Sequence, residues 1–338
     1  MTYESPVVDD RLIWDLNLSL HWLNGVLVAD DIKLFEALDT TPDDAAGLAA
    51  RLGASERGLL ALLPLLASLG LLAVHGGRYS LTAPARQFLL PDSPYYWGPV
   101  LAVNRIAPFN YQRLRDFLRP DAEKAALDGP GGDWEAGKID AATARMITTY
   151  MHSHSLAAAT GVARLGQFDG VKWLLDVGGG SGVFSIALSQ RHPGMRCTVL
   201  DLPAICELVH EYARAADATR VDTAAIDMFR EPWPRGHDAV FLSNVLHDWS
   251  PATCTQLLAK AAASLPAGGR VYLHEMLLSG SGDGPRTAAA FSVHMLIGTR
   301  GQQFTFDQLA TLLQDAGFHD VQLQSTHAYY SLLRATKR

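Results

Sequence analysis

Asp176-Val177-Gly178-Gly179-Gly180-Ser181-Gly182 ends the short apolar run Val171–Val177 and leads into a helical stretch. Glycines at a strand-to-helix turn let the backbone fold tightly and approach a ligand with no Cβ in the way. In an open α/β sheet, ligands bind at the carboxyl ends of the strands. The spacing excludes two common ligands. A dinucleotide fingerprint G-x-G-x-x-G counted from Gly178 ends on Val183, and no Lys-Ser or Lys-Thr follows to make a P-loop. Asp176, at the foot of the loop, would repel a pyrophosphate and suits a cationic ligand carrying an amine and a sulfonium.

Further apolar runs follow at Cys197–Leu200, Ala239–Leu242 and Val271–Leu273, with helical segments between them. That alternation predicts an α/β domain, a mostly parallel sheet with helices on both faces. Val321-Gln322-Leu323 and Tyr329–Leu333 read as an antiparallel C-terminal hairpin. Two more acidic residues stand at strand ends. Asp201 closes the second run, where a carboxylate accepts both hydroxyls of a ribose. Asp227 follows the third, where it would accept from an adenine amino group while Met228 and Phe229 sandwich the ring.

The first third reads as helices. Leu12 to Ile32 is apolar nearly all round, so either the chain or a partner must cover it. Thr41-Pro42-Asp43-Asp44 starts a helix that ends at Gly53, and Ser55-Glu56 starts another that runs to Leu69. Leu71–Val74, Gly76-Gly77 and Arg78–Leu81 then form a hairpin. This is a winged-helix pattern. Its second helix carries one basic residue, Arg57, among Leu and Ala, and so offers packing rather than base contacts.

The 338 residues predict about two domains. The expected boundaries are 1–91 for a winged-helix-like dimerisation domain, 92–165 for a helical linker and 166–338 for the sheet domain. Within the linker, Asp128–Asp133 reads as a loop and Asp140–Leu165 as a helix. Hydrophobic residues at 48% supply a core, and a net charge of −7 argues against a nucleic-acid partner. The longest uncharged run, Gly58–Val74, is shorter than the ~20 apolar residues a membrane span needs. Residues 1–10 hold Glu4, Asp9 and Asp10 but no Lys or Arg, unlike a secretion signal. Three cysteines without disulfide or zinc spacing fit a reducing compartment. The expectation is a cytoplasmic protein with neither membrane nor nucleic-acid partner.

Taken together, Leu175–Gly182, Leu200-Asp201-Leu202-Pro203, Asp227-Met228-Phe229, Leu246-His247-Asp248-Trp249, Gly268-Gly269-Arg270 and Ala316-Gly317-Phe318 resemble the caffeate and acetylserotonin group of small-molecule O-methyltransferases. The resemblance covers nearly the whole chain. It implies a class I methyltransferase fold with a Rossmann-like sheet and an intertwined homodimer. It also implies S-adenosyl-L-methionine as cofactor and S-adenosyl-L-homocysteine as product. By motif match, Gly178 and Gly180 would meet the methionine portion, Asp201 the ribose, and Asp227 and Met228 the adenine. Ser155 would stand near the cofactor carboxylate, with Asp176, Leu202, Phe229, Ser243 and Trp249 completing the cofactor site.

Methyl transfer from a sulfonium has a neutral leaving group. The protein must hold the nucleophile in line and remove its proton. A phenol titrates near ~10 and imidazole near ~6.5, so a neutral His is available at pH 7 as the base. His247, after the fourth strand, matches the family's base, and Glu275 matches one of its two orienting acids. Gln303 stands where the second, a Glu, is expected. It can hydrogen-bond the ring but cannot stabilise an imidazolium by charge. Asp248 reads as the cap of the next helix. Tyr96, Trp97, Asn104, Phe109, Tyr111, Met151, His294 and Met295 would form an acceptor pocket for a flat aromatic hydroxyl. No metal is expected. The alternatives are C- or N-methylation of an acceptor such as a 2-oxo acid or a heteroaromatic, iron-assisted through His247 and His294, or a ligand-sensing winged-helix regulator.

Overall fold

The computed structural model describes residues 6–106, 111–119 and 139–338. The expected loop Asp128–Asp133 and the candidate Phe109 lie outside the described residues. The chain divides into two compact units, Met1–Pro108 and Phe109–Arg338, so the stretch 92–165 is shared between them. Among the described residues no helix is long and apolar enough to cross a membrane.

In the first unit, Asp44 caps the helix Ala45–Leu52 by accepting from the Gly47 amide, and Ser55 caps Glu56–Ser68 by accepting from Gly58. Strands β1 (Leu72–His75) and β2 (Arg78–Leu81) pair antiparallel across Gly76-Gly77. Leu59, Leu63 and Leu66, spaced along one face of the second helix, pack with Leu34, Phe35, Leu38 and Leu48. That face is spent on the core. The helix Arg11–Leu18 buries nothing, and Leu12, Trp14 and Leu16 are exposed. The described chain does not provide the expected cover.

The second unit is built on seven strands: β3 (Trp173–Val177), β4 (Arg196–Asp201), β5 (Val221–Ala225), β6 (Ala239–Ser243), β7 (Arg270–Met276), β8 (Phe318–Ser325) and β9 (Tyr330–Lys337). Their order is β5-β4-β3-β6-β7-β9-β8. The first five are parallel, and β9 enters antiparallel between β7 and β8. Successive residues face opposite sides. Leu174 and Phe241 join a core with the helices Ala141–Ala163 and Val183–Arg191. Leu175, Val240 and Leu242 join another with Pro251–Ser264 and Phe306–Asp315. The strand order reverses between β3 and β6, and the connections after those two strands diverge at the carboxyl edge. This is where an open sheet leaves a crevice.

Candidate functional site

A cavity opens at that crevice. Gly178, Gly180 and Gly182 take φ of 65°, 56° and 73°, backbone that L side chains seldom adopt. A Cβ at Gly179 would stand 2.8 Å from the Asp176 carboxyl group. The loop therefore lies close over Asp176. That side chain is buried and accepts from Ser185 Oγ at 2.7 Å. The Asp201 carboxylate is fixed by two amides: Gly180 donates to Oδ2 at 3.0 Å and Leu202 to Oδ1 at 2.8 Å. Burial pushes Asp176 up to about 7 and Asp201 up to about 6, each against the hydrogen bonds it accepts. Two carboxylates held in so little water favour the arrival of a cation.

Asp227, Met228, Phe229 and Trp249 also line the cavity. Asp227 closes its own turn by accepting from the Phe229 amide at 2.8 Å and pairing with Arg230. Burial works against the carboxylate, but these partners hold it below the usual carboxylate range. Lys260 Nζ donates to the Met228 and Phe229 carbonyls at 2.6 and 2.8 Å. That fixes the loop which presents the two side chains. Trp249 packs edge-on to Phe229, ring centres 4.7 Å apart. The donor set fits a sulfonium nucleoside: carboxylates for the charge and the sugar, apolar flat groups for the base.

His247 sits in the turn Leu246–Asp248 that follows β6. It is buried, and its Nδ1 lies 2.6 Å from Glu275 Oε2, while Glu275 Oε1 accepts from the Leu246 amide at 3.2 Å. One carboxylate thus holds both the ring and the turn that carries it. Nε2 stands 3.7 Å from Asp248 Oδ1. Burial alone would lower the imidazole, but Glu275 and Asp248 outweigh it and push His247 up to about 9. The two carboxylates thus favour the protonated ring in the ligand-free protein. Asp248, pushed up to about 6 chiefly by burial, also lines the cavity.

Two expectations are corrected here. Asp248 does not cap the next helix. Ser250 does, accepting from the Thr253 amide, which leaves Asp248 beside the imidazole. Gln303 does not reach the ring. It is 2% exposed, and neither of its amide atoms has a partner among the described residues. The ring nitrogens already face Glu275 and Asp248. The neighbouring Gly301 lies so close that a Cβ there would be 1.7 Å from the His247 carbonyl oxygen. The segment braces the turn through its backbone.

Ser155, Leu202, Ser243, Met151, His294 and Met295 line the cavity. Tyr96, Trp97 and Asn104 lie in the first unit. There the Tyr96 hydroxyl donates to Asp30 Oδ1 at 2.9 Å and Asn104 Nδ2 to the Val100 carbonyl at 2.9 Å. Tyr111 is exposed beneath the Arg115 guanidinium. Sequence reasoning missed Tyr150, His154 and Phe291, all on the cavity wall. Helical spacing from predicted members was the available signal. His154 is three residues beyond Met151, and Phe291 is three and four before His294 and Met295. Burial holds His154 down at about 4, aided by the charges of His247 and His294. Among the described residues no three His, Cys, Asp or Glu side chains gather as a metal site.

Comparison with known proteins agrees with this geometry. Residues 111–319 match the O-methyltransferase domain family and residues 21–91 the O-methyltransferase dimerisation domain family. The chain is 37% identical over 313 residues to 3-hydroxy-5-methyl-1-naphthoate 3-O-methyltransferase of Streptomyces sahachiroi, covering 92% of this chain and 90% of that protein. It is 30% identical over 339 residues to acetylserotonin O-methyltransferase of Bos taurus, covering 95% and 97%. The crystal structure of human N-acetylserotonin methyltransferase in complex with S-adenosylmethionine superposes with a TM-score of 0.81 at 25% identity, covering 99% of both chains. A methyltransferase sheet, an acidic crevice suited to a sulfonium nucleoside and matches over nearly the full length place this chain in the S-adenosylmethionine-dependent O-methyltransferase family.

Proposed function

We propose that this protein methylates a hydroxyl group on a small aromatic metabolite, with His247 as the general base and Glu275 as its orienting partner. The observation that carries the reading is the buried His247–Glu275 contact of 2.6 Å on a residue that lines the cavity. The cofactor supplies an electrophilic methyl group whose departure leaves a neutral thioether. The protein's task is then the acceptor's proton. Glu275 keeps a proton on Nδ1, so Nε2 is the nitrogen that accepts, and the same carboxylate stabilises the imidazolium that results. A sulfonium nearby adds positive charge and lowers the imidazole from its ligand-free value toward neutrality.

Met151, Phe291 and Met295 on the cavity wall suit a flat apolar body. The relatives' names, a hydroxynaphthoate and acetylserotonin, favour the same acceptor class. Gly178 and Gly180 are assigned to the methionine portion, Asp201 to the ribose, and Asp227 and Met228 to the adenine. The exposed apolar helix Arg11–Leu18 and the dimerisation-domain match favour a homodimer, in which a second copy covers that helix. Three buried, unpaired thiols suit the cytoplasm.

Incubation with methyl-labelled cofactor and a panel of hydroxylated mono- and bicyclic aromatics tests the reading. Label on a phenolic oxygen, located by NMR, is the expected product. Transfer confined to ring carbon, to nitrogen or to aliphatic hydroxyls would contradict it.

A further inference from the structure

The buried residue His274 has no place in the chemistry above, and it is tied to the cavity wall by a chain of hydrogen bonds. Ser243, which lines the cavity at the end of β6, lies 2.9 Å from His274 Nδ1, and His274 Nε2 lies 3.0 Å from Thr326 Oγ1. The Thr326 hydroxyl donates its one hydrogen to the Tyr330 carbonyl at 3.1 Å. The directions follow from that end. Having given its hydrogen away, Thr326 Oγ1 accepts, so His274 carries its proton on Nε2. Nδ1 is then an acceptor, and the hydrogen it takes is that of Ser243. Burial, with His327 adding to it, holds His274 down at about 3, so the ring stays neutral at working pH. The ring is clamped between side chains, stacked on Tyr330 at 4.7 Å and edge-on to Phe184 at 5.2 Å.

A hydroxyl whose hydrogen is committed backwards offers only lone pairs forwards. Asp176 on β3 pairs with Phe241 on β6; just past that pair Ser243 ends β6 while Gly178 opens the glycine loop one residue after β3, and both line the cavity. That is where the reading above places the methionine portion of the cofactor. This portion has one hydrogen-bond-donating group, its ammonium. The carboxylate and the sulfonium have none.

We propose that His274 is a positioning residue: it locks the Ser243 hydroxyl as an acceptor, and the locked hydroxyl selects the ammonium group of the cofactor. The proposal rests on the assignment of Ser243 to the cofactor site. The test uses two ligands, S-adenosylhomocysteine and its deamino analogue, in which hydrogen replaces the amino group and the carboxylate remains. By calorimetry, His274→Phe is expected to weaken S-adenosylhomocysteine about tenfold and to leave the analogue within about twofold. Ser243→Ala should do the same, and the double variant should lose no more than either single one. If His274→Phe does not fold, Thr326→Val removes the oxygen that fixes the tautomer. It should weaken S-adenosylhomocysteine about threefold and again spare the analogue.

Equal weakening of both ligands would make His274 a packing residue and overturn the proposal. Loss of discrimination in Ser243→Ala but not in His274→Phe or Thr326→Val would overturn the relay alone. Full discrimination retained in Ser243→Ala would overturn the assignment of Ser243 beneath it.

Discussion

Replacing His247 by alanine should lower turnover by ~10²–10⁴, the range for losing a positioned general base, while affinity for S-adenosylhomocysteine, which lacks the sulfonium charge, stays within about twofold. The size follows from the surroundings. The ring lies buried beside Glu275 on the cavity wall, and Phe291 packs edge-on to it at 5.1 Å. The neighbouring side chains offer no equal substitute. His154 is held neutral by burial, and its low basicity makes it a poor acceptor. Asp248 is a weaker base than the imidazole. Single-turnover measurements separate the chemical step from binding. A loss under about tenfold would reduce His247 to a shaping residue.

Asp201→Ala should weaken cofactor binding by ~10² or more. A carboxylate accepting both ribose hydroxyls makes two hydrogen bonds to a charged group, each worth roughly 1.5–3 kcal/mol. The same carboxylate also fixes the Gly180 and Leu202 amides, so the variant loosens the glycine loop as well. Asp201→Asn is informative. Its amide has a single oxygen and cannot accept from both backbone donors, so it should lose most of the same affinity. Unchanged affinity by calorimetry in either variant would remove the ribose assignment.

Much of this was legible in the residues because it rests on local rules. The glycine loop had to follow a strand. Asp44 and Ser55 had to cap helices. The apolar strand before the glycine loop had to feed both faces of the sheet, with Leu174 in one core and Leu175 and Val177 in the other. Contacts between residues far apart in sequence were less accessible. Glu275 was reached through family resemblance, since nothing local says that β7 lies beside β6. Asp248 and Ser250 are both cap-forming types two residues apart, and only the backbone of the turn decides which one caps. Gln303 aligns with an acid in relatives, but its amide is buried without reaching the ring. The upward shift of His247, which no expectation addressed, comes from two carboxylates beside one ring, an arrangement that no spacing reveals.

The central claim is that a buried carboxylate–imidazole pair removes the acceptor's proton. Its most direct test is kcat/KM for the acceptor, at saturating cofactor, against pH in the wild type and in Glu275→Gln. Neutral imidazole is the active form, so the rate should rise with pH. Its inflexion should lie above the ordinary imidazole value of about 6.5 and no higher than the ligand-free value of about 9. Removing the negative charge of Glu275 takes away what favours the imidazolium, so Glu275→Gln should move the inflexion down while lowering the plateau. A flat profile in the wild type, or an inflexion that does not move in Glu275→Gln, would contradict the account.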